Sequence, residues 1–255
     1  MNAIPAVETA SVPIVGTRQR FPVHRIYCVG QNYADHAREM GSDPNRQQPF
    51  FFSKPADAVA TNGKTLAFPR ATTNLHHEVE LVVALAAGGT DVPVETAASL
   101  VFGYGVGLDM TRRDLQAEAK KSGRPWDMAK GFDESAPMSA LVPGKPPSHG
   151  KIALTVNDET RQSGDLNQMI WSVTEIIACL SQFVALRPGD LIFTGTPAGV
   201  GQVQPGDRLY GTINGCPPVE VVYAPTSGDG SLSGPLDDPT PCFVRGAGFF
   251  RGNLF

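Results

Sequence analysis

Turn-forming residues interrupt this chain so often that only short elements fit between them. Its 27 glycines and 22 prolines make up about a fifth of 255 residues, above the usual share but below the range of disordered chains. The expected architecture is many short strands joined by tight turns. The apolar stretches agree: HRIYCVG, PFFFSKP, VELVVALA, KIALTV, DLIFTG, DRLYGTI and VEVVYA each read as a strand. LVFGYGVGLDM is apolar but Gly-interrupted, which predicts a bent or bulged strand. Asn157-Asp158 predicts a hairpin turn after KIALTV, and RPGD and QPGD are turns ahead of the next strands.

Helices are few. Ser172 to Phe183 is the clearest, because Ser172 and Glu175 form a capping box and Val173, Ile176, Ile177, Leu180, Phe183 and Val184 recur at helical spacing. QNYADHAREMG predicts a short helix capped by Asn32, with Asp35 in its first turn and Gly41 as its stop. Thr111 is expected to open another, with Asp114 three residues on and Gly123 closing it. The fold class is thus α+β and β-rich. Residues 1–22 are expected to form a loosely attached arm, 23–223 the main domain, and 224–255 a mobile Gly/Ser/Pro-rich tail. SDPNRQQ is a polar, Pro-broken loop able to move, so a lid is expected near residues 31–48.

Composition excludes several function classes. Formal net charge is −4 and no Lys/Arg cluster exceeds a pair, so neither nucleic acid nor a membrane surface is an expected partner. No secretory leader is expected, and no apolar run approaches the length that spans a bilayer. Cys28, Cys179, Cys216 and Cys242 are far apart and form no C-x-x-C pair. Reduced thiols in a cytoplasmic protein are expected rather than disulfides or a zinc site.

The stretch NLHHEVELVVAL carries acids into an apolar strand. Side chains repeat every second residue along a strand, so Glu78 and Glu80 share one face with Cα atoms about 7 Å apart. A third carboxylate, Asp109, ends the next apolar strand. Three oxygen donors without cysteine favour a hard cation, Mg²⁺ or Mn²⁺. From these residues alone a solvated sheet face, with Asp109 merely capping the next segment, explains the pattern equally well.

Seven blocks taken together resemble the fumarylacetoacetate hydrolase family: YCVGQNYADHAREMG, FFFSKPADAV, HHEVELVVAL, GYGVGLDMTRRDLQ, GRPWDMAKGFDESAP, QMIWSVTEIIACLS and PGDLIFTGTPAGVG. They keep the family order across residues 23–215, and the pattern is most similar to its acylpyruvate-hydrolysing branch. The resemblance implies a mixed β-roll or sandwich with a few short helices, a Mg²⁺ (or Mn²⁺) cofactor and a homodimer. It also implies metal ligands at Glu78, Glu80 and Asp109, a catalytic pair at His36 and Glu39, and a lysine beside the metal at Lys130. Arg113, Gln116, Thr196 and Lys54 correspond to substrate-binding positions, Lys54 at the pocket entrance. The sequence departs from the family at Gln31, where many relatives carry arginine, and this bears on the acyl group preferred.

The expected activity is metal-dependent hydrolysis of the C–C bond of a 2,4-diketo acid, 3-fumarylpyruvate first, giving fumarate and pyruvate. The competing expectations on the same fold are oxaloacetate decarboxylation and isomerisation or decarboxylation of a 2-hydroxy-dienoate, neither of which needs an attacking water. A non-catalytic β-domain with a structural metal is a further alternative. A serine hydrolase is not expected, because no G-x-S-x-G elbow occurs.

Overall fold

The computed structural model describes residues 3–41 and 48–225. Two sheets carry most of the chain. The larger runs β4 (Phe50–Lys54), β3 (Arg25–Gly30), β15 (Asp190–Phe193), β8 (Val79–Leu85), β9 (Val101–Leu108), β11 (Ala136–Met138), β5 (Val59–Thr61), with β12 (Val142–Pro143) also pairing β9. It is mixed: β15 lies parallel to β3, and β11 parallel to β5, while the remaining pairs are antiparallel. The second sheet runs β14 (Glu159–Asp165), β13 (Lys151–Val156), β17 (Arg208–Ile213), β18 (Val219–Tyr223), β6 (Lys64–Leu66). A small third sheet orders β10 (Thr111–Arg112), β7 (Leu75–His77) and β16 (Gly201–Val203).

Strand parity explains the layering. Every residue of β8 is buried. Its odd positions, Val79 to Leu85, face a core shared with the second sheet and with α5 (Val173–Leu180). Its even positions Val82 and Ala84 face another core with Ile26, Met138 and Phe193. Glu78 and Glu80 share that even parity, at the end where the strand meets the cleft.

β9 is not broken by its glycines. Gly103, Gly105 and Gly107 lie on one face, and a Cβ at Gly107 would stand 2.6 Å from both Phe193 and Val82. The glycines thin that face so neighbours can close on it. The expected irregularity is present as a register shift opposite Ala84 and Leu85. The hairpin turn is where it was expected: Asn157 and Asp158 both have positive φ, 51° and 65°, as a two-residue turn between twisted strands requires.

Helix ends differ in detail from expectation. α5 has the full capping box, Ser172 Oγ accepting from Glu175 N–H and Glu175 from Ser172 N–H. It stops at Leu180, and Phe183 lies exposed beyond it. α1 (Ala34–Glu39) begins after Tyr33, not on Asn32. The Asn32 amide is used elsewhere: it donates to Trp171 and Thr194 carbonyls and accepts from Trp171 N–H. α2 (Val94–Ala97) is a single turn. α3 (Arg113–Ser122) comes directly after β10, so Thr111 is in a strand rather than at the helix start; Gly123, at φ 61°, closes α3. α4 (Asp127–Lys130) is another single turn.

From Ser11 to Pro22 the expected arm is packed rather than loosely attached. β1 (Ser11–Pro13) and β2 (Arg20–Pro22) pair with each other, Val12 and Phe21 enter the second core, and Leu141 exchanges backbone bonds with Pro13 and Val15. One buried apolar residue in each strand, Val12 and Phe21, suffices for a covering hairpin, and its more exposed neighbours make the segment read as unattached. Of the expected lid, residues 42–47 lie outside the described residues, as does the tail from 226 on.

Candidate active site

The β8–β9 register pairs Val79 with Leu108, so one step further Asp109 stands opposite Glu78, and Asp109 N–H donates to the Glu78 carbonyl at 2.9 Å. Strand parity adds Glu80. One carboxylate oxygen from each of the three lies within 4.8 Å of the others, and all three residues are buried. The solvated-sheet alternative is therefore excluded.

Cations surround part of this cluster. Lys130, the last residue of α4, places Nζ 3.0 Å from Glu78, 2.7 Å from Asp109 and 2.6 Å from Thr111 Oγ1. Arg113, first in α3, pairs with Glu78 and donates to Gln116 at 2.6 Å. Burial pushes the Glu78 carboxyl up, but Lys130, Arg113 and His36 more than offset it and hold it well below the usual range. Burial lowers the Lys130 ammonium's affinity for its proton, and Asp109 and Glu78 reverse that, so its pKa is raised. Glu80 has no such partner among the described residues. Burial first, then Asp109 and Glu78, push its carboxyl well above the ordinary range, against one N–H bond from Gly195 at 2.7 Å.

That asymmetry fits a metal. Three buried oxygen donors within one ion's reach, one of them driven toward its neutral form for want of a cation, match a hard divalent ion. Glu78, Glu80 and Asp109 would hold it.

A cleft opens over the cluster, lined among others by His36, Glu78, Glu80, Arg113, Gln116, Lys130 and Thr196. The structure thus gathers most of the expected site into one cavity. His36 is buried and its Nδ1 lies 3.2 Å from Glu39. Since an ionised carboxylate only accepts, Nδ1 donates to it, and in the neutral ring Nε2 is the nitrogen with the free lone pair. Glu39 in turn accepts from Gly199 N–H at 3.1 Å and 3.2 Å, which ties α1 to the loop after β15.

Two expected positions differ. Lys54 is not at the entrance: it is buried beneath the cluster, 2.8 Å from Asp109 and 3.1 Å from the Met110 carbonyl. As the last, inward-facing residue of β4 it balances the charge of Asp109 from below, while Phe50 and Phe52 of the same strand line the cleft. Thr196 does line the cleft, but its hydroxyl donates to the Val79 carbonyl at 2.8 Å and accepts from Gln162 at 2.7 Å. Its hydroxyl proton is already committed, so the backbone N–H is its remaining donor toward a ligand.

Sequence alone does not single out Gln162. Fully buried in β14, its amide accepts from Val79 N–H and pairs with His77 while donating to Thr196 and to the Pro197 carbonyl. It fastens the start of β8 to the loop carrying Thr196. Its neighbours Thr160, Arg161 and Ser163 make the segment read as a solvated hairpin arm, which hides it. Lys120 and Trp126 also line the cleft; Lys120 succeeds Arg113 and Gln116 at helical spacing, the signal that could have found it.

The fold and site describe a β-rich protein built around a buried carboxylate cluster under an open cleft, and comparison with known proteins names its class. The model of the fumarylacetoacetate (FAA) hydrolase C-terminal family matches residues 25–222. The chain belongs to this family. It is 44% identical over 185 residues to a fumarylpyruvate hydrolase of Ralstonia sp, covering 72% of this chain and 96% of that protein. It is 42% identical over 199 residues to an oxaloacetate tautomerase of Escherichia coli K12, covering 76% and 90%. The crystal structure of fumarylpyruvate hydrolase from Pseudomonas aeruginosa in complex with Mn²⁺ and pyruvate matches with a TM-score of 0.86 at 50% identity, over 88% of this chain and 100% of that one. The expected β-rich α+β architecture of this family is therefore the observed one.

Proposed function

We propose that the chain hydrolyses the C3–C4 bond of an acylpyruvate, 3-fumarylpyruvate in the first place, giving fumarate and pyruvate. The observation that carries this reading is that a carboxylate-oriented histidine and the buried acidic cluster share one cleft. The similarity to fumarylpyruvate hydrolases, one of them crystallised with Mn²⁺ and pyruvate, supports it.

A divalent cation held by Glu78, Glu80 and Asp109 supplies Lewis-acid stabilisation of the enolate charge. The chain's own groups do the rest. His36 Nε2 takes a proton from water as the water oxygen attacks C4, and Glu39 holds Nδ1–H and offsets the imidazolium charge. The C3–C4 bond then breaks, its electron pair leaving as the enolate of pyruvate. Lys130, buried and fully charged, counters that negative charge where water cannot. His36 returns its proton to C3, and the acyl half departs as the carboxylic acid. Arg113 and Gln116 hold the keto acid end, with the Thr196 N–H. Lys54 steadies Asp109 from beneath. The reading includes a catalytic domain over residues 23–223, a homodimer in the cytoplasm, and Mg²⁺ or Mn²⁺ as the resident ion.

A second reading, oxaloacetate tautomerase, is favoured by the 42% identical relative of that name. It needs only a proton moved at C3 and no water attack. Assaying the Mn²⁺-loaded protein on fumarylpyruvate, acetylpyruvate and oxaloacetate side by side separates the two. Hydrolysis is expected to dominate with fumarylpyruvate. Fast enol–keto exchange of oxaloacetate without cleavage of either acylpyruvate would transfer the assignment to the second reading.

A further inference from the structure

Part of the cleft lining is chemically unlike the carboxylate cluster. It comprises Phe50, Phe52 and Trp126, with the two phenylalanine ring centroids 5.7 Å and 5.8 Å from that of Trp126, together with Met40. Beside them stands Lys120, whose Nζ lies 5.1 Å from the Trp126 ring centroid. Among the described residues no carboxylate pairs with this ammonium and no polar atom hydrogen-bonds it, although every cation at the cluster is paired. Burial, then Arg113 and Lys130, lower its pKa, so it stands in a positive field that an anion would relieve.

We infer that Lys120 reads the far end of the acyl group, so that the site selects an acylpyruvate ending in a second carboxylate. The inference rests on the acylpyruvate reading above and assigns the specificity-determining cation within it. Phe50, Phe52 and Trp126 pack on one another as an apolar wall, along which the middle of such a chain can lie. Length agrees as well. Arg113, Gln116 and Lys120 share one face of α3, and seven residues of helix rise about 10 Å. A seven-carbon diketo diacid has the six backbone bonds of two extended residues, about 7 Å between its terminal carbons, and its terminal oxygens reach further. With one end on the carboxylate cluster and Arg113, the other end falls at Lys120. An ammonium meeting a carboxylate is a charge-assisted contact that a neutral chain end cannot replace.

The test uses two probes that cannot be cleaved, because they lack the C4 keto group. 2-Oxopimelate has the seven-carbon length and the distal carboxylate; 2-oxoheptanoate has the length alone. Calorimetric titration of the Mn²⁺-loaded protein is expected to give 2-oxopimelate an affinity about tenfold or more above 2-oxoheptanoate. In Lys120→Met, which keeps the stem and removes the charge, that ratio is expected to fall to near unity, and Lys120→Arg is expected to restore most of it. No preference in the wild type, or a preference that survives in K120M, overturns the inference. A Lys120-dependent preference in a protein that fails to cleave fumarylpyruvate would overturn the hydrolase reading instead and leave the diacid selectivity standing.

Discussion

Glu80 is costly to the folded chain unless something cationic arrives. It is buried, it faces two further carboxylates, and its one bond is a backbone N–H. Glu80→Gln keeps the shape and the acceptor for Gly195 but removes the charge. The metal-free variant is expected to melt above the metal-free wild type, because desolvation and like-charge repulsion disappear. The same variant is expected to lose the rise in melting temperature that Mn²⁺ gives the wild type. A variant still stabilised by Mn²⁺ would show that the ion sits elsewhere. His36 is the opposite case, since in the proposed mechanism its role is chemical. His36→Ala is expected to lower kcat by about 10²–10⁴ with Mn²⁺ affinity by calorimetry unchanged. Equal loss of both would make His36 a structural residue of α1. Glu78 and Glu80 were legible as one strand face because strand parity is local, whereas Asp109 joined them as a ligand through the family resemblance, its strand meeting theirs only in the fold. The true places of Lys54 and of the Thr196 hydroxyl were not legible, since Lys54's partner Asp109 and Thr196's partner Val79 arrive from distant strands.

At the scale of elements, α3 does most to shape the cleft, and one side chain moors it. Asp114 in its first turn accepts from Thr72 Oγ1 at 2.7 Å and from the N–H groups of Thr73 and Leu115 at 2.9 Å. Burial pushes this carboxyl up, but those three donors more than offset it and hold its pKa below the ordinary value. A pKa depressed by folding means stability that is fully present above the unfolded value, near ~4, and is lost as pH falls through the folded one. The melting-temperature gap between wild type and Asp114→Asn is therefore expected to be widest near neutrality and to close as pH falls below about 4. A gap independent of pH would mean that the amide replaces the carboxylate fully. Element types were largely legible: the capping box of α5, the Asn157-Asp158 turn and the strand runs are all written in short stretches. Less legible were elements whose reason lies across the fold. Asn32 bonds Trp171 and Thr194 instead of capping α1, Thr111 serves Lys130 instead of opening α3, and the hairpin of β1 and β2 exists because a distant sheet face needs cover.

For the whole molecule, the candidate metal site and the fold are linked through the ends of two strands in the larger sheet. β8 and β9 meet at the carboxylates, β15 leads into Gly195 and Thr196, and Gln162 of the second sheet bonds both β8 and that loop. Charge balance at the cluster is thus felt by both sheets at once. An ion bound by the native chain alone adds about 2.7 kcal/mol at a hundred times its Kd, a rise of roughly 5–10 °C for a domain of this size. Chelation by EDTA is expected to lower the melting temperature by that order and to abolish turnover of fumarylpyruvate together, and Mn²⁺ is expected to restore both. The two readouts distinguish the roles of the site. Activity that persists in EDTA would remove the ion from the chemistry. A melting shift without any turnover in the reloaded protein would leave a structural metal beneath a binding cleft, because the His36–Glu39 pair would then have no reaction to serve.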